Sequence, residues 1–160
     1  MNENFLAELT LPGRRPSVSV ARHCVGRIQT VAGHRNVDGV QLVVTELVGN
    51  AVLHTVSGLA GGLVTVVVSE IGDATAHVSV IDQGSSRSPE IRDPGDLSCS
   101  GRGLQIVEQA AVRWGVHDDA LGGRKVWAEV LTTEEGPVAA MDVCEEGVMP
   151  SSMHDITAPL

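Results

Sequence analysis

Aromatic residues are scarce in this chain: its 160 residues include one Phe, two Trp and no Tyr. Hydrophobic residues nevertheless make up 42% of the sequence and charged residues 19%, a balance too apolar for a disordered chain. Because valine supplies much of the apolar content, we expect an aliphatic core. The length suits one domain, since two cores of half the size would each bury too little apolar surface.

Three further scarcities exclude other classes of protein. The cysteines, Cys24, Cys99 and Cys144, are odd in number and lack paired spacing, which argues against a disulfide framework and a zinc site. Lys and Arg form no extended stripe and the net charge is -9, so we expect no direct nucleic-acid partner. Apolar runs fall short of the roughly 20 residues that span a bilayer. With Glu3 and Glu8 near the N-terminus in place of a basic signal region, the sequence predicts a cytoplasmic protein without membrane contact.

Hydrophobic periodicity and turn residues predict an order of strands and helices. In chain order we expect an edge strand over 5–11, a helix from an N-cap at Ser17 to Val31, a helix capped by Asn36 or Asp38 and ending near His54, central strands over 63–70 and 76–82 joined at Gly72-Asp73, a helix over 104–111, and strands over 112–117 and 124–131. This order predicts a two-layer α/β sandwich of the α+β type, with a mixed, mainly antiparallel sheet and helices on one face. We expect a domain over 1–132 and a flexible acidic tail over 133–160.

The second predicted helix carries the first candidate site. Glu46, Asn50 and His54 fall at i, i+4 and i+8 and therefore share one narrow face at the border of the apolar stripe. An Asn oxygen can ligate Mg²⁺, and a nearby carboxylate can activate a water or a hydroxyl. The spacing is also that of solvated polar residues on any amphipathic helix.

A second candidate lies at the end of the third predicted strand, where Asp82 shares a face with Ala76, Val78 and Val80. Its carboxylate should therefore point toward the helices, where an adenine amine is a candidate donor. Gly84 would let a base approach the backbone closely. The competing interpretation is that Asp82 merely stabilises a turn.

The third candidate is the glycine-framed segment Gly101, Arg102, Gly103 and Leu104, which stands directly before a predicted helix. Backbone N–H groups and the helix dipole can receive phosphate oxygens there, and Arg102 can add a charged fork. A flexible hinge would show the same pattern. The long segment over 83–100 before it exceeds an ordinary connection, and such loops are commonly functional.

Three blocks in this order resemble the GHKL, or Bergerat-fold, ATPase superfamily, which includes gyrase, the ninety-kilodalton heat-shock chaperone, mismatch-repair ATPases and histidine kinases. The matching blocks are ELVGNAVLH at 46–54, DQG at 82–84 and GRGL at 101–104. Together with SVAR at 19–22 and Gly122-Gly123 before Val126-Trp127, they look most like the small branch of anti-sigma factors and serine kinases. The resemblance covers residues 5–131.

The resemblance implies a role for each block. Asn50 would bind Mg²⁺, Glu46 would be the catalytic base and Asp82 would recognise the adenine of ATP. The segment over 83–100 would be an ATP lid, hinged by Gly101 and Gly103. The sequence departs from the branch at Arg124 and Lys125, where relatives often carry a Thr or Ser hydroxyl that helps hold adenine.

The resemblance implies a regulator of transcription: a serine/threonine kinase that sequesters a sigma factor and phosphorylates an antagonist protein. Dimerisation is common in that branch, so a homodimer is also consistent with it. Two alternatives remain open from the residues. One is a non-catalytic switch in which ATP orders the lid and alters a protein-binding face, and the other is an adaptor domain in which the motifs are coincidental.

Overall fold

The computed structural model describes residues 2–84, 101–118, 120 and 122–133. Its elements are β1 (Glu3–Pro12), α1 (Arg15–Val31), α2 (Asp38–His54), a 3-10 turn (Val56–Gly58), β2 (Leu63–Ile71), β3 (Thr75–Asp82), α3 (Gly101–Ala110), β4 (Arg113–Asp118) and β5 (Arg124–Leu131). The strands form one sheet in the order β1-β2-β3-β5-β4, with every described pair antiparallel. The predicted two-layer α+β architecture is confirmed. The prediction was a mixed, mainly antiparallel sheet, and all the described strand pairs are antiparallel.

The core is built almost entirely from valine and other aliphatic side chains, as the composition predicts. Alternate residues of β2 and β3 are buried on one face of the sheet, and β-branched side chains suit such a pleated surface. The register pairs Val66 with Val80 and Val68 with Val78. Helix α2 packs its own buried residues against this layer: Val40, Val43, Val44, Leu47, Val48 and Ala51. The face of α2 that is not buried in this core is therefore available for a site.

The edge strand and the hairpin are confirmed at their predicted places. Strand β1 lies at one edge of the sheet, paired only with β2 among the described strands. Gly72 adopts a positive φ of 61° in the turn between β2 and β3. Glycine reaches this left-handed region at no steric cost, which is why the Gly72-Asp73 pair predicts the turn.

Both predicted N-caps are wrong. Helix α1 begins at Arg15, two residues before Ser17, and Ser17 is buried within it. Proline in the first turn explains the earlier start, because Pro16 fixes a helical φ and lacks an N–H that would need a partner. Helix α2 is preceded by Val37 and no side chain caps it; Asp38 lies in the first turn, where its negative charge interacts favourably with the positive end of the helix dipole. Asn36 lies outside the helix.

Helix α3 begins at Gly101, three residues earlier than the predicted start at 104. The segment from Gly101 to Leu104 therefore forms the first helical turn instead of preceding it. The predicted lid over 83–100 lies outside the described residues from 85 onward, and the predicted tail lies outside them from 134 onward. None of the helices in the described ranges has the length and apolar run that crossing a bilayer requires.

Candidate functional site

Helix α2 places Glu46 and Asn50 at the edge of the core. Both side chains are half-buried, whereas His54, one turn further, is exposed. Their neighbours Leu47 and Ala51 are buried, so the polar ridge borders the buried stripe as its spacing predicts. Glu46 and Asn50 therefore share a partly desolvated position, and His54 lies outside it.

Helix α3 brings Gly103 directly against this ridge. A β-carbon at position 103 would stand 3.0 Å from Oε2 of Glu46, 3.3 Å from Nδ2 of Asn50 and 3.4 Å from Oδ1 of Asn50. Glycine is therefore the residue that allows the first turn of α3 to approach the carboxylate and the amide together. The backbone N–H groups of this turn have no partner within the helix and can bind an anion.

Asp82 is buried at the end of β3, with 6% of its surface exposed. It lies on the helix-facing side of the sheet with Val80 and Val78, as predicted. Its Oδ1 accepts a hydrogen bond from the backbone N–H of Gly84 at 2.7 Å. Burial raises the pKa of this carboxyl, and the Gly84 hydrogen bond and the charge of Arg124 only partly oppose that rise. Further hydrogen-bond donors would therefore stabilise the ionised carboxylate.

Gly84 fastens the end of β3 to two neighbouring segments. Its carbonyl accepts a hydrogen bond from the backbone N–H of Val56 at 2.8 Å, just beyond the C-terminus of α2. Its φ is 82°, and a β-carbon there would stand 1.7 Å from the carbonyl oxygen of Gly122. The backbone at Gly84 therefore joins the α2 end, the β3 end and the β4–β5 turn at one place.

Ser57 is a supporting residue that the motifs did not reveal. It is buried, and its hydroxyl accepts a hydrogen bond from the backbone N–H of Gln83 at 2.8 Å. The side chain of Gln83 accepts a bond in turn from the N–H of Leu63 at 3.1 Å. A serine within a Ser-Gly pair reads as an ordinary turn residue in the sequence, so only the folded chain shows that it holds the segment after Asp82.

Arg124 lies across the sheet from Asp82. The two residues are register partners between β3 and β5, and Arg124 is also the partner of Asp118 on β4. Its Nε donates to Oδ1 of Asp118 at 2.8 Å. Lys125 pairs instead with Ile81, on the opposite face of the sheet. Of the two departures from the family pattern, only Arg124 is on the same face as Asp82.

The structure thus makes two groupings of the predicted residues. Glu46, Asn50 and Gly103 meet between α2 and α3. Asp82 and Gly84 meet at the end of β3, and the bond from Val56 to Gly84 links this end to the helix that carries Asn50. Of Gly101 and Arg102 only the helical backbone is described. Leu104 is half-buried in the same first turn.

The donor set suits a magnesium ion held mostly by phosphate and water. Within residues 2–84, 101–118, 120 and 122–133, no three His, Cys, Asp or Glu side chains gather closely enough to hold a metal. Magnesium is typically bound by one or two protein oxygens, with its other positions filled by water and nucleotide phosphate. The amide oxygen of Asn50 beside an anion-receptive helix start fits that pattern.

The candidate residues lie within a stretch of sequence that matches a known protein family. A family model described as a histidine kinase-like ATPase domain matches residues 12–129. The match runs from the end of β1 into β5 and so includes both groupings of candidate residues. Comparison with curated proteins gave no match.

Proposed function

This chain belongs to the family of histidine kinase-like ATPase domains, and on that premise we propose that it is an ATP-binding regulatory protein with serine/threonine kinase activity toward an antagonist protein. In this proposal it also sequesters a sigma factor, which the antagonist releases. The observation that carries the proposal is the approach of Gly103 to Glu46 and Asn50. That approach puts an anion-receptive helix start, a metal-binding oxygen and a carboxylate in one place.

The phosphates of ATP would lie at the first turn of α3. Free backbone N–H groups and the positive end of the helix dipole favour a polyanion there. Gly103 leaves room for phosphate oxygens next to α2, and Asn50 would hold the bound Mg²⁺ through its amide oxygen. When bound, that ion would neutralise developing charge on the phosphates. Gly101, Arg102 and Leu104 belong to the same turn and complete the proposed phosphate site.

The adenine would lie at the end of β3. The buried Asp82 carboxylate can accept a hydrogen bond from the exocyclic amine of the base, which would offset part of its burial cost. Gly84 would support this site from behind, because its N–H holds Oδ1 of Asp82 and its close contact with Gly122 fixes the end of β3. Arg124 occupies the register position next to Asp82 and presents a planar guanidinium that can stack on a base. This contact would replace the hydroxyl that relatives often supply.

Glu46 would act as the base in phosphate transfer. The substrate hydroxyl attacks the γ-phosphorus, its proton passes to the Glu46 carboxylate, and the bond from the γ-phosphorus to the bridging oxygen breaks to release ADP. A half-buried carboxylate next to the phosphate site is suitably placed for that step. Its neighbour Asn50 would keep the metal and the phosphates in position.

Two measurements test the proposal in sequence. Thermal denaturation with and without Mg-ATP reports binding, because a ligand at 100 times its dissociation constant stabilises the folded state by about 2.7 kcal/mol. Transfer of labelled γ-phosphate from ATP to a purified antagonist reports the kinase step. Glu46→Gln is the matched control, since it keeps the shape of the side chain and removes the base. We expect it to bind ATP and to transfer no phosphate.

A non-catalytic switch is the second candidate, and Arg124 favours it. Its guanidinium is already paired with Asp118. An adenine bound beside Asp82 would therefore meet an ion pair, where relatives often offer a Thr or Ser hydroxyl. In the switch, ATP binding alone would alter a protein-binding face, without phosphate transfer. Binding by the unaltered chain without any phosphate transfer would support the switch and contradict the kinase. Absence of a thermal shift at millimolar Mg-ATP would contradict both.

A further inference from the structure

Helix α1 carries a concentration of positive charge in an acidic protein. Residues 9–37 include five arginines and no Asp or Glu, in a chain whose net charge is -9. The arginines are Arg14, Arg15, Arg22, Arg27 and Arg35, and all five are exposed. Arg14 and Arg35 flank the helix, and apart from the adjacent Arg14 and Arg15 the arginines are five to eight residues apart, so the sequence pattern alone did not mark them as a patch.

Most of this charge is not neutralised by the described part of the chain. Arg14, Arg15, Arg22 and Arg27 form no ion pair with a carboxylate among the described residues. In the remainder of the described chain, Arg113 and Arg124 each pair with an acidic residue on a neighbouring strand. The arginines of α1 therefore present charge that an acidic ligand can neutralise.

Exposed apolar side chains lie among these arginines. Val20 and Val31 are 46% and 84% exposed, and their spacing of seven and four residues from Arg27 puts all three on one side of the helix. At the opposite edge of the exposed surface of α1, Arg22 lines a groove of about 250 Å³ between the two helices, together with Asp38 and Leu42 of α2. We name the surface formed by Arg15, Val20, Arg22, Arg27 and Val31 the α1 arginine face. It offers cationic and apolar contacts together.

The chain itself contains a segment of matching chemistry. Residues 134–160 include six Asp or Glu and no Lys or Arg, with Val and Met residues between them. The described chain ends next to α1: Thr133 lines a hollow with Gly33 and Arg35, which follow that helix directly. The backbone N–H of Asn36 donates to the carbonyl of Thr132 at 3.1 Å and holds this exit in place.

The distances allow the segment to reach the whole face. Helix α1 has 17 residues, which makes it about 26 Å long. Glu145 is twelve residues after Thr133, and an extended chain spans about 3.3 Å per residue, or about 40 Å over that stretch. Even a path that is far from straight would therefore bring Glu145 and Glu146 to the middle of the helix.

We propose that residues 134–160 bind the α1 arginine face of their own chain. Charge complementarity supplies the attraction, and the covalent connection gives the segment an effective concentration in the millimolar range that a separate acidic protein would have to exceed. The face is then regulated: an acidic segment of a partner protein binds there only by displacing residues 134–160. This inference does not depend on ATP binding or on phosphate transfer.

A paramagnetic label on the segment tests the proposal in the full-length chain. With Cys24→Ala and Cys99→Ser, Cys144 is the single attachment site for a nitroxide. We expect the label to broaden the amide signals of α1 and to leave those of β4, at the far edge of the sheet, unchanged. Salt at 1 M should abolish the broadening, because it shortens the screening length to about 3 Å. Equal broadening of α1 and β4, or none on α1, would overturn the proposal.

Charge exchange supplies the matched control. Arg22→Glu with Arg27→Glu should remove the broadening without unfolding the chain, since both side chains are exposed. Adding Glu145→Arg and Glu146→Arg should restore it. If broadening instead appears only between a labelled chain and a separate isotope-labelled one, the face binds a second copy and the intramolecular proposal is wrong. If the broadening survives charge reversal, the arginines do not hold the segment and the proposal fails.

Discussion

Gly84 and Gly122 lie in such close backbone contact that a β-carbon on Gly84 would stand 1.7 Å from the carbonyl oxygen of Gly122. No side-chain rotation can relieve that overlap, because the backbone of residue 84 fixes the position of its β-carbon and the oxygen belongs to the backbone of Gly122. The contact joins the end of β3, where Asp82 lies, to the turn between β4 and β5. The spacing of this corner of the candidate site is therefore set by two glycines.

Gly84→Ala should destabilise the fold more than the same change at Gly122. Both residues have a positive φ, 82° and 89°, which costs an alanine about 1–2 kcal/mol. At Gly122 nothing lies within 4 Å of an added β-carbon, so the loss of stability should be limited to this backbone cost. At Gly84 the overlap adds to it, and we expect a total above about 2 kcal/mol. Urea denaturation measures both variants, and equal losses would contradict the contact.

Gly103→Ala should weaken nucleotide binding without weakening the fold. The new methyl group would crowd Oε2 of Glu46 and the amide of Asn50, and the flexible end of Glu46 can move aside at little cost. Alanine also favours a helix interior over glycine by about 0.5–1 kcal/mol. We therefore expect unchanged or higher stability with at least about tenfold weaker Mg-ATP binding, or about 1.4 kcal/mol.

Gly49→Ala is the control for that experiment. Gly49 lies next to Asn50 in α2, but nothing stands within 4 Å of an added β-carbon. It should gain about 0.5–1 kcal/mol of stability from helix propensity and keep its affinity for Mg-ATP. Calorimetric titration of both variants would decide the matter. A parallel loss of affinity in Gly49→Ala would show that the space at Gly103 is not the cause.

Asp82→Asn should stabilise the folded chain at neutral pH while weakening ATP binding. Burial raises the pKa of Asp82 above its ordinary value, so the folded state holds the proton more tightly than the unfolded state. Asp82 therefore favours folding most at low pH, and this contribution is lost as the pH rises through the folded pKa. Asparagine removes the ionised form and keeps an oxygen for the Gly84 N–H.

The stability difference between Asp82→Asn and the unaltered chain should accordingly shrink as the pH is lowered toward about 4, near the ordinary Asp pKa. Melting temperatures measured across that range test the sign. A difference that is constant with pH, or a variant less stable at pH 7, would show that the buried carboxylate is not disfavoured. ATP binding, followed separately, should weaken at neutral pH.

Arg113→Met should lower the melting temperature at pH 7 but not in strong acid. Arg113 donates two hydrogen bonds to the buried Glu129, at 2.8 and 2.7 Å, and these bonds lower the pKa of Glu129. A carboxyl whose pKa is lowered on folding stabilises the fold above its ordinary value of 4.5, and this contribution is lost as the pH falls through the folded pKa. In a Glu129→Gln background the substitution should have a smaller effect, and equal effects in the two backgrounds would contradict the pairing.

Local patterns were sufficient to predict most of the described fold. Alternating valines mark β2 and β3 because one face of each strand is buried, and Gly72-Asp73 marks the turn because it requires a positive φ. Helix starts were less predictable, because the N-cap residues Arg14 and Val37 make no side-chain capping bond and Pro16 favours an earlier start of α1. Competing local signals of similar strength decide such boundaries.

The candidate site divides in the same way. The ridge of Glu46 and Asn50 follows from helical spacing, and the inward direction of Asp82 follows from strand alternation. The approach of Gly103 to Glu46 depends on how α3 packs on α2, across a long intervening segment, and no local pattern contains that information. Ser57 and the Arg113–Glu129 pair were missed for the same reason, since each acts through partners far away in the sequence.

Strand β3 is the middle strand of five, while α3 packs chiefly on α2 and only lightly on the sheet. Opening β3 would break the hydrogen bonds to the strands on both sides, so its amides should exchange with solvent only when the whole domain unfolds. Helix α3 can detach by local unfolding. The adenine part of the proposed site, on β3, should therefore open less often than the phosphate part, on α3. A nucleotide held by both would release its phosphates first and its base last.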